Sequence, residues 1–211
     1  MEVDSRGSPA EDHRIRRTRR LLADALVELT LERPFETITV RDLTERANIG
    51  YATFFRHYSG KVELLRAMLK EVLAELLELL EPHLGEDPAQ ASLVVFRHAR
   101  LHADLYRLLL RTAGAIELLP EAIRVGVATT SRSYRARSDS MIPFEIAAEH
   151  LVRSFVNLID WWLENDLPYS AERMAEIYGA MIIEPLESKA LERRTAEEVA
   201  ATRAPVRPRN R

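Results

Sequence analysis

Hydrogen-bond donors are concentrated in residues 51–61, whose sequence is YATFFRHYSGK. Thr53, Arg56, His57 and Lys61 offer hydroxyl, guanidinium, imidazole and ammonium groups. Groups of these types donate to phosphate oxygens, and side chains near the start of a helix can also enter a major groove and reach base edges. The chemistry that this segment indicates is therefore non-covalent binding of a polyanion.

Two short helices joined by a tight turn would position these donors. Thr39 and Asp42 have the spacing of a capping box, which predicts the start of the first helix. Val40, Leu43 and Ala47 then fall on one face, as expected for a short helix that packs against a core.

The turn is predicted at residues 48–50, where Asn48 occupies the position that requires a positive φ. In the second helix, over residues 51–58, Phe54 and Tyr58 are four residues apart and are expected to be buried. The other faces of this helix are left for a DNA groove.

The composition favours helices and excludes several kinds of site. The chain has 211 residues, of which 46% are hydrophobic, so it is long enough to bury a substantial core. Long stretches rich in Leu, Ala, Glu and Arg favour helices throughout. The absence of Cys excludes disulfides, thiolate metal sites and cysteine nucleophiles.

Targeting signals are not expected in this sequence. Its first residues are polar and acidic and lack the apolar core of a signal peptide. No uninterrupted apolar run approaches the length that spans a bilayer. We therefore expect a cytoplasmic protein with no membrane partner.

Charge is distributed unevenly along the chain. The formal net charge is -3, whereas residues 13–61 contain ten basic and six acidic residues. Several arginines lie near the start of the first predicted helix, where positive charge opposes the helix dipole unless a polyanion is nearby. On charge alone, a local DNA contact and a solvated basic face are equally favoured. These arginines are Arg14, Arg16, Arg17, Arg19 and Arg20.

The segment ITVRDLTERANIGYATFFRHYSGKVELL resembles the N-terminal domain of TetR-family (tetracycline-repressor-like) transcriptional regulators. The shared order is a Thr-capped helix, an Ala-x-Ile turn, a Thr-aromatic-aromatic-x-His-aromatic run and a Lys at the next helix. The resemblance implies an all-α fold, with an N-terminal three-helix helix-turn-helix domain and a C-terminal helical ligand-binding and dimerisation domain. It also implies a homodimer that binds double-stranded DNA at a palindromic operator.

The family pattern implies a role for individual positions of this sequence. Thr53, His57 and Lys61 would contact phosphates, and Tyr51 and Ala52 would approach base edges. The full set of candidate DNA-binding residues is Thr39, Tyr51, Ala52, Thr53, Phe55, Arg56, His57 and Lys61.

Three positions depart from the family pattern. Phe55 stands where Tyr is usual, so a hydrogen bond from a phenol to a phosphate would be missing. Asn48 replaces the usual turn Gly, and Gly50 replaces the usual capping Ser or Thr. Both of the latter substitutions are conformationally tolerable.

The last two helices, over residues 143–166 and 170–187, are expected to form a four-helix dimer interface.

This interpretation divides the chain into four segments. The segments are a disordered arm at 1–12, the helix-turn-helix DNA-binding domain at 13–60, the helical effector-binding and dimerisation domain at 61–188, and a disordered tail at 189–211.

A ligand pocket is predicted among large apolar side chains of the helical domain. Aromatic residues at helical spacing more often form a core or a dimer interface, so both alternatives stay open. The pocket candidates are Phe96, Tyr106, Leu109, Phe155 and Trp162.

His98 and His102 are four residues apart, a spacing at which two imidazoles can share a metal ion. A metal is nevertheless disfavoured, because the only neighbouring carboxylate at a suitable position is Asp104 and a helix break is expected near His102. No nucleophile constellation or phosphate-binding glycine loop is present. We therefore expect no catalytic residue, no metal and no cofactor.

The sequence favours a DNA-binding transcriptional regulator, with a repressor released from its operator by a small-molecule effector as the preferred form. One alternative is a regulator with no small-molecule effector that acts through a protein partner. Another is an all-helical enzyme.

Overall fold

The computed structural model describes residues 9–85, 87–111 and 118–203. The chain divides into two compact units. The first contains the described residues up to Glu71 and those within Leu108–Leu118, and the second contains Val72–Arg107 and the described residues from Leu119 onward. Helices dominate both units, which confirms the all-α prediction.

The first unit is the predicted helix-turn-helix domain. Helix α1 packs against α2, and α2 packs against α3. Its fully buried apolar side chains include Leu22, Leu26, Leu43 and Phe54. The elements are α1 (Pro9–Glu32), a 3-10 turn (Phe35–Thr37), α2 (Val40–Arg46), α3 (Tyr51–His57) and the first half of α4 (Lys61–Leu80).

Two predicted boundaries of this domain differ from the structure. Helix α1 begins at Pro9, so the prediction of a disordered arm over 1–12 is wrong for residues 9–12, and residues 1–8 lie outside the described residues. The first unit also extends to Glu71 instead of ending at residue 60. The reason is that α4 contributes the buried side chains of Leu64 and Leu65 to this unit.

The second unit is a helical bundle. Its helices are the second half of α4, α5 (Pro88–Leu101), α6 (Ala103–Arg111, which ends in the first unit), α7 (Leu119–Ser133), α8 (Phe144–Glu164), α9 (Ala171–Tyr178), α10 (Glu184–Lys189) and α11 (Ala196–Arg203). Helix α5 packs against α9, and α7 packs against α8. Phe96, Trp162 and Tyr178 are fully buried in the core of this unit.

The predicted disordered tail at 189–211 is wrong for Leu191–Arg203. Strand β2 (Leu191–Arg193) pairs antiparallel with β1 (Tyr134–Ala136), and α11 follows. Leu191 is buried beside Tyr134, which gives this charged segment an apolar anchor that its composition does not reveal. Residues 204–211 lie outside the described residues.

The helix predicted at 170–187 is interrupted. A π-helical segment, Gly179–Ile183, separates α9 from α10. Pro185 in the first turn of α10 has no backbone N–H, so a regular α-helical ladder cannot continue through it.

Among the described residues, no helix combines the length and apolar character needed to cross a bilayer.

Candidate nucleic-acid interface

Thr39 starts α2 by a capping box, as predicted. Its hydroxyl accepts a hydrogen bond from the Asp42 amide at 3.2 Å, and the Asp42 carboxylate accepts one from the Thr39 amide at 2.7 Å. These bonds, together with Arg33, lower the pKa of Asp42 to about 2. The Thr39 hydroxyl also donates to the Asp42 carboxylate. These contacts account for the Thr39 side chain as the cap of α2. Its contact with DNA stays a prediction.

The turn between α2 and α3 depends on Asn48, which has a φ of 52° as predicted. Gly50 precedes α3 with φ -62° and ψ 136°, an extended conformation that any residue can adopt. No side chain caps α3, and the Gly50 carbonyl accepts hydrogen bonds from the Thr53 and Phe54 amides at 2.8 and 3.2 Å. The amides of the first two residues of α3, which precede these bonds, can donate to solvent or to a ligand.

The Asn48 conformation gives a direct test of the turn. Replacement of Asn48 by Ala is expected to lower the free energy of unfolding by about 1 kcal/mol, because a Cβ without a compensating polar group is disfavoured at positive φ. Replacement by Gly should maintain or raise stability. Chemical denaturation of both variants measures the difference, and an Ala variant as stable as the Gly variant would contradict the assigned turn.

Helix α3 has one buried and one exposed face. Phe54 and Tyr58 are buried, as predicted, with ring centroids 5.8 Å apart. Tyr51 and Phe55 are 55% and 47% exposed, and their rings make an edge contact at 5.1 Å. Ala52 is exposed beside Tyr51. The structure thus places a pair of aromatic side chains on the surface of a short helix, where burial does not explain them.

Thr53 and Arg56 form a hydrogen-bonded pair on this surface. The Arg56 guanidinium donates to the Thr53 hydroxyl oxygen at 2.7 Å. The hydroxyl proton therefore remains available to donate to an acceptor, and the adjacent guanidinium adds a positive charge. A phosphate oxygen suits both groups, since hydrogen bonds between ionised partners are short and strong.

His57 lies at the end of α3, where the positive charge of Arg19 on α1 affects its pKa. Partial burial lowers the pKa of its imidazole, and the positive charges of Arg19 and Arg56 lower it further. A neutral imidazole can donate from one ring nitrogen. Arg19 is exposed and belongs to the arginine cluster of α1, so that cluster and α3 contribute to one positive surface.

Lys61 has three protein acceptors. Its Nζ donates to the backbone carbonyls of Phe35, Glu36 and Ile38 at 2.7, 2.9 and 2.7 Å, and it lies 4.6 Å from the centre of the Phe35 ring. An ammonium group has only three N–H donors, so these bonds use all of them. Lys61 therefore holds the 3-10 turn against the start of α4, and we leave it out of the interface proposed below.

Arg41 is a basic residue that the sequence-based candidates did not include. It is exposed on α2 and borders a cleft of about 400 Å³ together with Asn48 and Tyr51. By contrast, the Arg46 guanidinium bonds to the Glu28 and Glu32 carboxylates of α1 at 3.3 and 2.8 Å, so it serves to join two helices. Sequence spacing alone does not distinguish these two arginines.

The predicted ligand-pocket residues are not all in one place. Phe96, Phe155 and Trp162 form an aromatic cluster of the second unit, with Phe96 stacked on Phe155 at 4.8 Å and in edge contact with Trp162 at 5.6 Å. Tyr106 lies in the second unit as well, whereas Leu109 belongs to the first. Phe96 and Trp162 are fully buried, as expected for a packed core.

Residues 22–68 match the family model described as bacterial regulatory proteins, tetR family. This span includes the capping box, the Asn48 turn and all of α3. The helix-turn-helix unit of this chain is similar to that of the tetR family. The match ends at residue 68, and the helices after α4 are outside it.

A curated helix-turn-helix regulator is similar to a longer part of this chain. TcmR, a helix-turn-helix transcriptional regulator of Streptomyces glaucescens, is 31% identical over 133 residues, which cover 56% of this chain and 58% of TcmR. The chain spans about half the length of the curated relatives it matches.

Solved structures of bacterial transcriptional regulators share the fold. A TetR transcriptional regulator from Streptococcus agalactiae has a TM-score of 0.59 and 22% identity, over 82% of this chain and 97% of that one. FadR of Bacillus subtilis, solved with stearoyl-CoA, has a TM-score of 0.60 and 15% identity, over 78% and 97%. At these identities, the likeness shows the fold alone.

Proposed function

We propose that the protein is a DNA-binding transcriptional regulator that binds a palindromic operator as a homodimer. The observation that carries this proposal is the exposed face of α3, on which the Thr53–Arg56 pair lies within the same unit as the α1 arginines. Tyr51 and Ala52, at the start of α3, are assigned to base edges. Thr53, Arg56 and His57 are assigned to phosphates.

Selection of bound fragments from genomic DNA by the full-length protein tests this function. We expect enrichment of a palindromic sequence whose half-sites are spaced by about one or more helical turns. Enrichment of no sequence above the background of unselected fragments would contradict the proposal.

Phe55 supplies a finer test of the same surface. Replacement of Phe55 by Tyr is expected to tighten operator binding by about tenfold, because the exposed ring would gain a hydroxyl that can donate to a phosphate. Fluorescence anisotropy with the selected operator measures the change. Unchanged or weaker binding would mean that Phe55 does not face the DNA backbone.

The proposed dimer uses helices α8 and α9 and the π-helical segment that follows α9. Ile146, Trp161 and Met181 on these elements are 62%, 44% and 62% exposed. Exposed apolar side chains of this size commonly mark protein interfaces. Two copies of this surface would form a four-helix interface around a two-fold axis.

A substitution at Met181 tests the proposed dimer interface. Replacement of Met181 by Asp is expected to shift the mass measured by sedimentation from two chains toward one, because it introduces a charge into the apolar interface. The matched control replaces Met141, which is 94% exposed outside these helices, by Asp and should leave the mass unchanged. A wild-type protein that is monomeric at micromolar concentration would contradict the dimer.

The proposed regulator is a repressor that a small-molecule effector releases. FadR, which shares the fold, binds stearoyl-CoA, and this favours a ligand site in the second unit. Helix α4 is continuous from Lys61 to Leu80. An effector that displaces α4 can therefore change the distance between the two copies of α3 in the dimer. Equal operator affinity with and without a verified ligand would contradict this mechanism.

A second candidate is a regulator without a small-molecule effector, which acts through a protein partner. The observation that favours it is the complete burial of Phe96 and Trp162, since side chains packed in this way leave little room for a ligand beside them. Thermal unfolding of the protein against a library of small apolar and acyl compounds separates the two candidates. A concentration-dependent rise of the Tm favours an effector.

A further inference from the structure

Three potential metal ligands meet in the second unit, away from α3. They are Glu75 on α4, His98 on α5 and His102 at the end of α5, and one ligand atom of each lies within 4.8 Å of the others. The spacing of charged residues in the sequence disfavours a metal at His98 and His102, because it offers no suitable carboxylate nearby except Asp104. The carboxylate that this spacing does not reveal is Glu75, which lies 27 residues before His102 in the chain.

Helix α5 keeps the two histidines on one face. The His102 amide donates to the His98 carbonyl at 3.0 Å, so the expected helix break comes after this turn, and the two ring centroids are 4.6 Å apart. Asp104, the carboxylate considered from sequence, bonds instead to Arg107 at 3.0 Å. The helix break therefore does not separate the histidines, and Asp104 is not required as a ligand.

The His98 Nε2 atom is the unusual feature of this cluster. It is buried and has no hydrogen-bond partner, while its Nδ1 lies 3.0 Å from the Tyr106 hydroxyl. The nearest described charge is the Glu75 carboxylate, whose oxygen is 3.8 Å from Nε2. The other Glu75 oxygen is 3.2 Å from the His102 Nε2.

Neither neutral form of His98 is well satisfied by this arrangement. If Nδ1 donates to Tyr106, the lone pair of Nε2 faces a carboxylate, which is repulsive. If Nε2 carries the proton, it is a buried donor too far from Glu75 for a hydrogen bond. A cation between Nε2 and the carboxylate removes both problems, because it accepts the imidazole lone pair and pairs with the negative charge.

We propose that Glu75, His98 and His102 bind a divalent transition metal such as Zn²⁺. Zn²⁺ takes imidazole nitrogen and carboxylate oxygen at about 2.0–2.2 Å, which separates adjacent ligand atoms by roughly 3.4 Å in a tetrahedral site. The Glu75 oxygens lie 3.2 and 3.8 Å from the two Nε2 atoms, on either side of this value, and a separation as wide as the 4.8 Å limit of the cluster would shorten by about 1.4 Å when the ion binds. Two imidazoles favour Zn²⁺, Ni²⁺ or Cu²⁺ over Mg²⁺ and Ca²⁺, which prefer oxygen ligands.

The surroundings of the cluster suit a metal. With a metal ion on Nε2, Nδ1 of His98 would carry the proton and donate to the Tyr106 hydroxyl 3.0 Å away, which would hold Nε2 toward Glu75 as the partners of metal-bound histidines commonly do. The Glu75 side chain is 47% exposed, so an ion can enter from solvent. Three protein ligands leave a fourth position open for water or for an oxygen atom of a small molecule.

Zn²⁺ binding by the full-length protein, freed of metal with a chelator, tests this proposal. Isothermal titration should give one Zn²⁺ per chain, and the Tm should rise with Zn²⁺ concentration. Co²⁺ should give the visible absorption of a four-coordinate site. Replacement of Glu75 by Gln or of His102 by Gln should weaken Zn²⁺ binding by at least tenfold and remove this absorption.

Matched controls come from the same chain. Glu78→Gln changes an exposed carboxylate of α4, and His150→Gln changes an exposed histidine of α8, and both should bind Zn²⁺ as the wild type does. The test variants alter partly exposed residues, so the buried His98 need not be replaced, and circular dichroism verifies folding. Absent Zn²⁺ binding, or equal affinity in the Glu75→Gln variant, overturns the proposal. Because no DNA is present, either result leaves the proposed DNA binding untouched.

Discussion

Replacement of Thr53 by Val and of Arg56 by Met should each weaken operator binding by about tenfold, and the double replacement should weaken it by less than the product of the two. The reason is that Arg56 donates to the Thr53 hydroxyl, so the two side chains are expected to contact the same phosphate. Residues that share a partner show coupling energies of about 0.5–3 kcal/mol, and a coupling of about 1 kcal/mol corresponds to fivefold.

Fluorescence anisotropy with the selected operator measures all four proteins of this cycle. The matched control is Arg153→Met, which removes one arginine from an exposed intrahelical pair with Glu149 in the second unit. This variant lowers the net charge by the same amount as Arg56→Met does. It should leave operator affinity within about twofold, because an exposed ion pair of the second unit contributes little to the stability of the protein. Additive effects of Thr53→Val and Arg56→Met would show that the pair does not act on one phosphate.

Replacement of Lys61 by Met should lower the free energy of unfolding by about 3 kcal/mol. The substitution keeps an apolar stem above the Phe35 ring but removes three hydrogen bonds from a charged donor to backbone carbonyls, two of them partly buried and one exposed. Each such bond contributes about 1.5–3 kcal/mol when desolvated, and partial exposure of Lys61 reduces the sum.

Lys70→Met on the exposed face of α4 is the matched control, and it should change stability by less than about 0.5 kcal/mol. Chemical denaturation compares the two variants. The family resemblance gives a different expectation for Lys61→Met, namely normal stability with weaker DNA binding and a smaller salt dependence. A variant that unfolds like the control and loses operator affinity would therefore support the phosphate contact over the structural role.

Local features of the first unit were predictable from the sequence. The Thr39 capping box, the positive φ of Asn48 and the burial of Phe54 and Tyr58 all depend on residues within about four positions of one another. Short-range spacing determines caps, turns and helix faces, so one sequence was sufficient.

Features that depend on tertiary contacts were not predictable. Lys61 meets carbonyls as far as 26 residues away, and Glu75 meets His102 across 27 residues. The ordered tail depends on Leu191 packing beside Tyr134, which charged composition conceals. In each case a residue contacts a partner distant in the sequence, which only folding brings within reach.

The central claim is that the α3 face of the first unit binds the DNA backbone, and the salt dependence of operator binding tests it most directly. Each phosphate that an arginine neutralises contributes about -0.9 to the slope when the logarithm of the association constant is plotted against that of salt concentration, so the two copies of Arg56 in the dimer predict a negative slope with a magnitude of about two or more. Arg56→Met should reduce the magnitude of this slope by about two, one for each copy of α3 in the dimer. A slope near zero, or one that Arg56→Met leaves unchanged, would contradict the claim.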